Sequence, residues 1–249
     1  AIVAGASEGL GAAFAEELAK RGLNLVLLAR RFEKLKDLSK NLVNCYQIKT
    51  EYYSIDLADA QKVKQLFRQL NLDIGLLVYN AAYAPIGYFT DITEENLERT
   101  VNVNIKTPLI LSRLVADRMI EKRKGGIILM SSLAGIQGTP RLAAYSASKA
   151  FNAILAEALW KELEQHGIDV IASCPGAIRT PGYKNAQQSK DAPGTLDAKQ
   201  VAIKTLDALG KGPLIIPGYT NKIARLFMGR LLPRKFAVTI MEKQTKDLL

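Results

Sequence analysis

The sequence is poor in the residues that build metal centres and disulfide frameworks, with one histidine, His166, and two cysteines, Cys45 and Cys174, in 249 residues. A single imidazole excludes a multi-histidine metal site. Two thiols far apart in the chain and without metal-ligand spacing argue against a disulfide scaffold and suit a reducing compartment, so a cytoplasmic location is expected. No apolar run reaches the roughly 18 residues that a bilayer-spanning helix requires. The middle of the chain lacks any stretch rich in Pro, Ser or like charge that would read as a linker, and internal repeats and low-complexity tracts are also missing, so one domain is expected. Residue 1 is Ala and not Met, and it opens directly on a strand-like run; a natural N-terminus, with any signal or anchor it carried, is expected to lie upstream.

What is present is ordinary in amount and uneven in placement. With 48% hydrophobic and 23% charged residues the composition is that of a globular protein, and a chain of this length buries roughly 70–75% of its unfolded surface, enough for a sizeable core. The net charge of +10 would suggest a polyanion partner, but half of the excess lies between Tyr219 and the C-terminus, where seven Lys and Arg face only Glu242 and Asp247. Elsewhere the basic residues are thinly spread, without the aromatic-interleaved stripe of nucleic-acid grooves, so no nucleic-acid partner is expected.

Apolar β-rich runs alternate with segments of helical period, the pattern of a parallel sheet covered on both faces. Strands are expected at 1–4, 23–29, 52–55, 74–79, 127–130, 170–174 and 214–216, and helices at 10–21, 32–41, 60–70, 93–124, 145–166 and 198–209. The fold class is therefore α/β, a doubly wound, Rossmann-like seven-stranded sheet. Thr93 before Glu94 and Glu95 is a fitting N-cap, and Asp197 is expected to cap the last crossover helix. In such sheets ligands bind beyond the carboxyl ends of the strands.

Directly after the first strand stands Gly5-Ala6-Ser7-Glu8-Gly9-Leu10-Gly11, opening a helix. Glycines there let the backbone turn tightly and approach a pyrophosphate, whose charge meets free N–H groups at the helix start. Three glycines in seven residues also make a plain flexible turn; the position between strand and helix favours the phosphate reading. Where an NAD site carries an acid about 20 residues later, this chain has Arg30 and Arg31. A carboxylate repels a 2′-phosphate and a guanidinium pairs with it, so the cofactor expected is NADP, against the alternative of two surface arginines.

Tyr145 and Lys149 lie four residues apart on one expected helix face, an arrangement in which an ammonium favours a phenolate and assists proton transfer. Taken alone, Tyr-xxx-Lys is common on helices for structural reasons. Its company here is Ser131-Ser132-Leu133-Ala134-Gly135 upstream, Asn80-Ala81-Ala82, and Pro175-Gly176-Ala177-Ile178-Arg179-Thr180 downstream. With these motifs in this order, the sequence resembles the short-chain dehydrogenase/reductase family over essentially its whole length. The resemblance implies that Ser132 binds the substrate oxygen, Tyr145 exchanges a proton with it, Lys149 lowers the tyrosine pKa and binds the nicotinamide ribose, and Asn104 holds a relay water. It further implies cofactor contacts by Gly5, Ser7, Glu8, Gly9, Leu10, Gly11, Arg30, Arg31, Asp56, Leu57, Asn80, Ala81, Ala82, Pro175, Gly176, Ile178 and Thr180. A homodimer or homotetramer, paired through helices 105–124 and 146–165, is implied as well.

Three departures from the family pattern bear on cofactor affinity: Ala4 for Thr, Ala82 for Gly, and Glu8 where many NADP-dependent members are basic. The activity expected is hydride transfer between NADP(H) and a carbonyl or alcohol substrate, in particular reduction of an apolar ketone or aldehyde. The competing reading is a catalytically silent NADP-binding sensor, which typically loses the tyrosine or lysine kept here. Tyr83, Tyr88, Phe89 and Tyr183 read as an apolar substrate wall or as core. Trp160 reads as packing or a subunit contact, and His166 has no catalytic role. The substrate loop spans 180–197, with 183–196 a lid. The basic tail 219–249 reads as an amphipathic segment broken at Pro233. It could close the cleft, touch an anionic membrane weakly, or simply pack with its basic side in water.

Overall fold

The computed structural model describes residues 1–186 and 191–246. Seven parallel strands form one sheet: β1 (Ile2–Ala4), β2 (Leu25–Ala29), β3 (Thr50–Ser54), β4 (Leu76–Tyr79), β5 (Gly125–Met130), β6 (Ile168–Ser173) and, last in sequence, Leu214–Ile215. The order across the sheet is β3-β2-β1-β4-β5-β6 followed by that last strand. The direction of winding reverses between β1 and β4, the switch point at which such sheets open a ligand crevice. All seven expected strands are present. Because successive side chains point to opposite faces, Ile2, Val26, Leu28, Ile127 and Leu129 enter one core layer while Val3, Leu27, Ile128 and Met130 enter the other.

Helices α1 (Gly9–Lys20) and α2 (Phe32–Tyr46) cover the second layer, and α3 (Ala60–Gln69) covers the first. The helix expected over 93–124 is three pieces: α4 (Glu94–Val101), one π-helical turn over Asn102–Lys106, and α5 (Thr107–Lys122). Thr93 caps α4 by accepting from the Asn96 N–H. The buried Tyr79 hydroxyl donates to the Val103 carbonyl at 2.6 Å and so ties the π turn to the sheet; such single-turn bulges concentrate at functional sites. The long α6 (Ala143–Glu164) follows β5 and packs on β6.

After β6 the chain departs from the simple pattern. A small second sheet pairs β7 (Ile178–Arg179) with β8 (Leu196–Asp197), and α7 (Pro181–Ala186) lies between them. Of the expected lid 183–196, residues 187–190 lie outside the described residues. Next come α8 (Ala198–Ala208) and β9, the edge strand Leu214–Ile215. Asp197 stands at the N-cap of α8 but its side chain makes no capping bond; its carboxylate accepts from Arg179 at 2.9 Å, which corrects the capping expectation. The tail folds as α9 (Tyr219–Leu226), a π turn over Phe227–Leu231, and α10 (Arg234–Thr245), and the break falls at Pro233 as the sequence predicts. Among the described residues no helix is long and apolar enough to cross a membrane.

Candidate active site

A cleft of about 1100 Å³ runs over the carboxyl ends of the central strands, from the glycine loop after β1 to the tail helices. Its cofactor end is shaped by backbone. Gly5 and Gly9 have φ of +83° and +58°, values that side chains oppose. The Gly5 N–H donates to the Leu28 carbonyl at 2.7 Å and Asn80 Nδ2 donates to the Gly5 carbonyl at 3.1 Å, which fixes the loop between β2 and β4. A methyl group on Gly11 would stand 1.9 Å from the Gly5 oxygen. Gly11 is thus not on the cleft wall; it is what allows the loop to fold back onto α1.

Glu8 occupies the N-cap of α1 yet makes no capping bond. Its carboxylate turns outward, 2.7 Å from Arg31 and 2.6 Å from Lys34, and these partners hold its pKa below the usual carboxylate range. The first-turn N–H groups of α1 are therefore left without a side-chain cap and face the cleft, the arrangement that receives a phosphate. Arg31 also donates to Ser7 Oγ at 2.9 Å. Arg30, exposed on the cleft rim, has no carboxylate partner among the described residues and stands near enough to Asp56 to stabilise its charge. Asp56 itself accepts from Arg99 at 2.7 Å and from the Ala58 N–H at 3.0 Å. Leu10, Leu57, Ala81, Ala82, Pro175, Gly176, Ile178 and Thr180 all line the same cleft. Uncapped N–H donors, a loop with no room for a methyl group, and unneutralised positive charge at the rim fit a dinucleotide phosphate chain.

The chemistry-bearing side chains meet in the middle. Ser132 lies two residues beyond β5 and caps the short turn Leu133–Gly135, its Oγ accepting from the Ala134 N–H at 3.2 Å. Tyr145 and Lys149 project from the first turns of α6. The Lys149 side chain is buried, donates from Nζ to the Met130 carbonyl at 2.8 Å, and lies 5.5 Å from the centre of the Tyr145 ring. Burial pushes its ammonium down to about 8. The tyrosine is pushed up by burial, and a hydrogen bond from the Ser132 side opposes the rise. The ammonium thus lies beside the Tyr145 ring, the neighbourhood from which the sequence reading expects it to lower the phenol's pKa.

Asn104 lies on the π turn, fully buried and not on the cleft wall. Its Oδ1 accepts from the Tyr83 N–H at 2.7 Å, and its Nδ2 donates to the Tyr83 carbonyl at 2.8 Å and to Ser148 Oγ at 3.0 Å. It therefore pins the segment after β4 to α6, one turn from Tyr145. Asn152 donates to the Asn104 carbonyl at 3.1 Å while its own Oδ1 is buried without a partner.

The far end is walled by side chains from distant segments: Ile86, Ile136, Leu142 and Tyr183 together with Met228 and Met241 of the tail. Of the expected aromatic wall, Tyr83 and Tyr183 line the cleft, whereas Tyr88 and Phe89 lie outside it and are exposed. Trp160 packs against the core. Sequence reasoning missed Lys34 and Arg99, while closure of the cleft by the tail was among its readings of residues 219–249. Lys34 was legible as a third cation one turn beyond Arg31; no local signal marks Arg99. Asn221 is a further anchor, buried and donating to the Pro217 and Gly194 carbonyls at 2.9 and 3.2 Å.

The short chain dehydrogenase family profile matches residues 1–191 of this chain. The chain belongs to that family. Its relatives include the very-long-chain 3-oxoacyl-CoA reductase of Anas platyrhynchos, 31% identical over 257 residues and covering 100% of this chain and 80% of that protein. Another is the inactive hydroxysteroid dehydrogenase-like protein 1 of Homo sapiens, 36% identical over 184 residues, covering 72% of this chain but 56% of that protein. Among solved structures, a short-chain dehydrogenase from Sphingobium yanoikuyae in complex with NADPH superposes with a TM-score of 0.80 at 31% identity, covering 87% of this chain and 86% of that one. As a short-chain dehydrogenase the chain keeps the serine, tyrosine and lysine of the family motif in one cleft.

Proposed function

We propose that this chain is an NADP(H)-linked oxidoreductase that reduces an apolar ketone or aldehyde. The observation that carries the reading is the meeting of Ser132, Tyr145 and Lys149 midway along a cleft with a phosphate-cradling loop at one end and an apolar wall at the other. The nicotinamide cofactor, when bound, supplies the hydride. Ser132 holds the substrate carbonyl oxygen, and Tyr145 hands its phenolic proton to that oxygen as charge develops on it. Lys149 orients the ribose. Asn104 and Asn152 support proton return from solvent, with the unpartnered Asn152 Oδ1 as an acceptor for a relaying water.

NADP is favoured over NAD by Arg30, which makes no ion pair among the described residues, and by Arg31 and Lys34, which would exchange Glu8 for a 2′-phosphate. The NADPH complex of a 31% identical relative supports this choice. An apolar substrate is supported by Met228, Met241, Ile86 and Ile136 on the wall and by the long-chain acyl chemistry in the name of one relative. Assembly as a homodimer or homotetramer through α5 and α6 is part of the proposal, supported by the exposed Leu109 and Ile154 on those helices. A reducing, cytoplasmic setting is proposed on the two free cysteines.

The test is a panel of long-chain 3-oxoacyl thioesters, bulky ketones, aldehydes and sugars, with oxidation of NADPH and NADH followed by absorbance. Turnover confined to sugars would overturn the substrate class, and equal use of both cofactors would overturn the preference. The second reading, a silent cofactor-binding protein, is favoured by the relative named as inactive; NADPH binding without turnover across the panel would establish it.

A further inference from the structure

Six of the large hydrophobic side chains that the fold leaves exposed lie in the tail: Tyr219, Ile223, Leu226, Phe227, Leu231 and Phe236, each more than half exposed. Along α9 and into the π turn the first four fall at i, i+4, i+7 and i+8, one face of a helix. The opposite face, with Asn221, Ala224 and Met228, lines the cleft. On α10 the same division holds, Ala237 and Met241 facing inward and Phe236 outward. The helix pair is thus held to the body by one side, through Asn221 and through Arg234 donating to the Ile136 carbonyl at 2.6 Å. Its other side presents apolar groups to the surroundings.

The charge around that side has one sign. From Tyr219 to Met241 the charged residues are Lys222, Arg225, Arg230, Arg234 and Lys235, with no acid among them. Lys222, Arg230 and Lys235 are exposed and make no ion pair among the described residues. This combination selects among occupants. A second copy docked on a two-fold axis would set the patch against itself, basic groups facing basic groups. A nucleic acid could stack bases on the aromatic rings but would leave the aliphatic Ile223, Leu226 and Leu231 unused. An interface that accepts apolar side chains at its depth and Lys and Arg at its phosphate level satisfies both features.

We infer that the outer face of α9 and α10 is a docking surface for an anionic phospholipid bilayer, with Ile223, Leu226, Phe227, Leu231 and Phe236 entering the headgroup–acyl boundary and Lys222, Arg230 and Lys235 meeting lipid phosphates. The inference is independent of turnover, so it stands or falls separately from the catalytic reading. It also gives the tail two tasks on its two sides, since the helices that rest on lipid are those that wall the cleft.

The experiment is sedimentation of the 249-residue chain with phosphatidylcholine vesicles, with and without 30% phosphatidylserine (about a third, a composition that sets a strong surface potential), at low and physiological salt. Binding at least tenfold tighter to the phosphatidylserine vesicles, weakened by salt, is expected. Lys222→Gln with Lys235→Gln should weaken it about 25-fold, about fivefold for each charge. Leu226→Ser with Phe227→Ser should weaken it at least tenfold, and Phe236→Ser provides a single-site version should the double variant fail to fold. Absence of binding at both salts would overturn the inference. So would binding that ignores these substitutions, or patch-dependent self-association in light scattering without vesicle binding.

Discussion

At the cofactor end of the cleft the wall is mostly backbone, built within the first strand-turn-helix and set by two left-handed glycines and a third that leaves no room for a methyl group. At the far end it is side chains, gathered from segments that lie far apart in the chain: Ile86, Leu142, Met228 and Met241. The first construction tolerates no change in shape and recognises a charge pattern common to many partners. The second tolerates change and discriminates by shape. A protein that binds one cofactor and one of many substrates divides its cleft in this way, because backbone geometry is costly to vary and exposed wall residues are not.

The largest effect is expected where the two ends meet. Tyr145→Phe removes the proton carrier alone, so kcat should fall by about 10²–10⁴, or about 3–5 kcal/mol, while NADPH binding followed by fluorescence is unchanged. Retention of a tenth of the activity would show that another group is the acid. At the cofactor end, Gly11→Ala must push the loop off Gly5, and up to about 3 kcal/mol of strain should appear as NADPH binding weakened roughly 10- to 100-fold. A variant that binds NADPH as tightly as the parent would contradict the backbone account of that end.

Arg30→Asp at the rim should weaken NADP binding by about 1.5–3 kcal/mol and shift preference toward NAD, as read by titration with both cofactors. Unchanged discrimination would assign the 2′-phosphate to Arg31 and Lys34 instead.

Lys149 sharpens the comparison through pH. Its folded-state pKa, about 8, lies below its ordinary value of 10.5, so the unfolded chain holds the proton more tightly between those limits. The stability this group contributes is full above about 10.5 and is lost as pH falls through about 8. Lys149→Met should therefore raise unfolding stability at pH 7 by about 2 kcal/mol, after allowing for the lost bond to Met130, and the gain should vanish near pH 10. Chemical denaturation at the two pH values checks this; a variant less stable at pH 7 would show that the lysine is a net structural support. Smallest of all, Met228→Ala at the far end should raise KM for an apolar substrate about fivefold, about 1 kcal/mol, with kcat and NADPH binding unaltered. A fall in kcat instead would mean that the tail positions Tyr145.

The sequence by itself determined the sheet, the glycine loop and the pairing of Tyr145 with Lys149 on one helix face, because each rests on local pattern. Strand periodicity, Gly5-xxx-Gly9-x-Gly11 and the four-residue spacing of Tyr145 and Lys149 are readable within a few residues, and the break at Pro233 follows from the ring that removes a helical N–H. Tertiary structure alone decided what each charged or polar group does with its neighbours. Glu8 engages Arg31 and Lys34 and leaves the α1 N-terminus open, Asp197 pairs with Arg179 and does not cap α8, and Lys149 faces Met130 and the Tyr145 ring. Asn104 is buried as a strut, and the tail becomes a cleft wall on one side and an exposed apolar face on the other. These outcomes depend on distances between segments far apart in the chain. Composition and spacing constrain which side chains are available, but only packing settles which of several nearby partners a carboxylate, an ammonium or an amide meets.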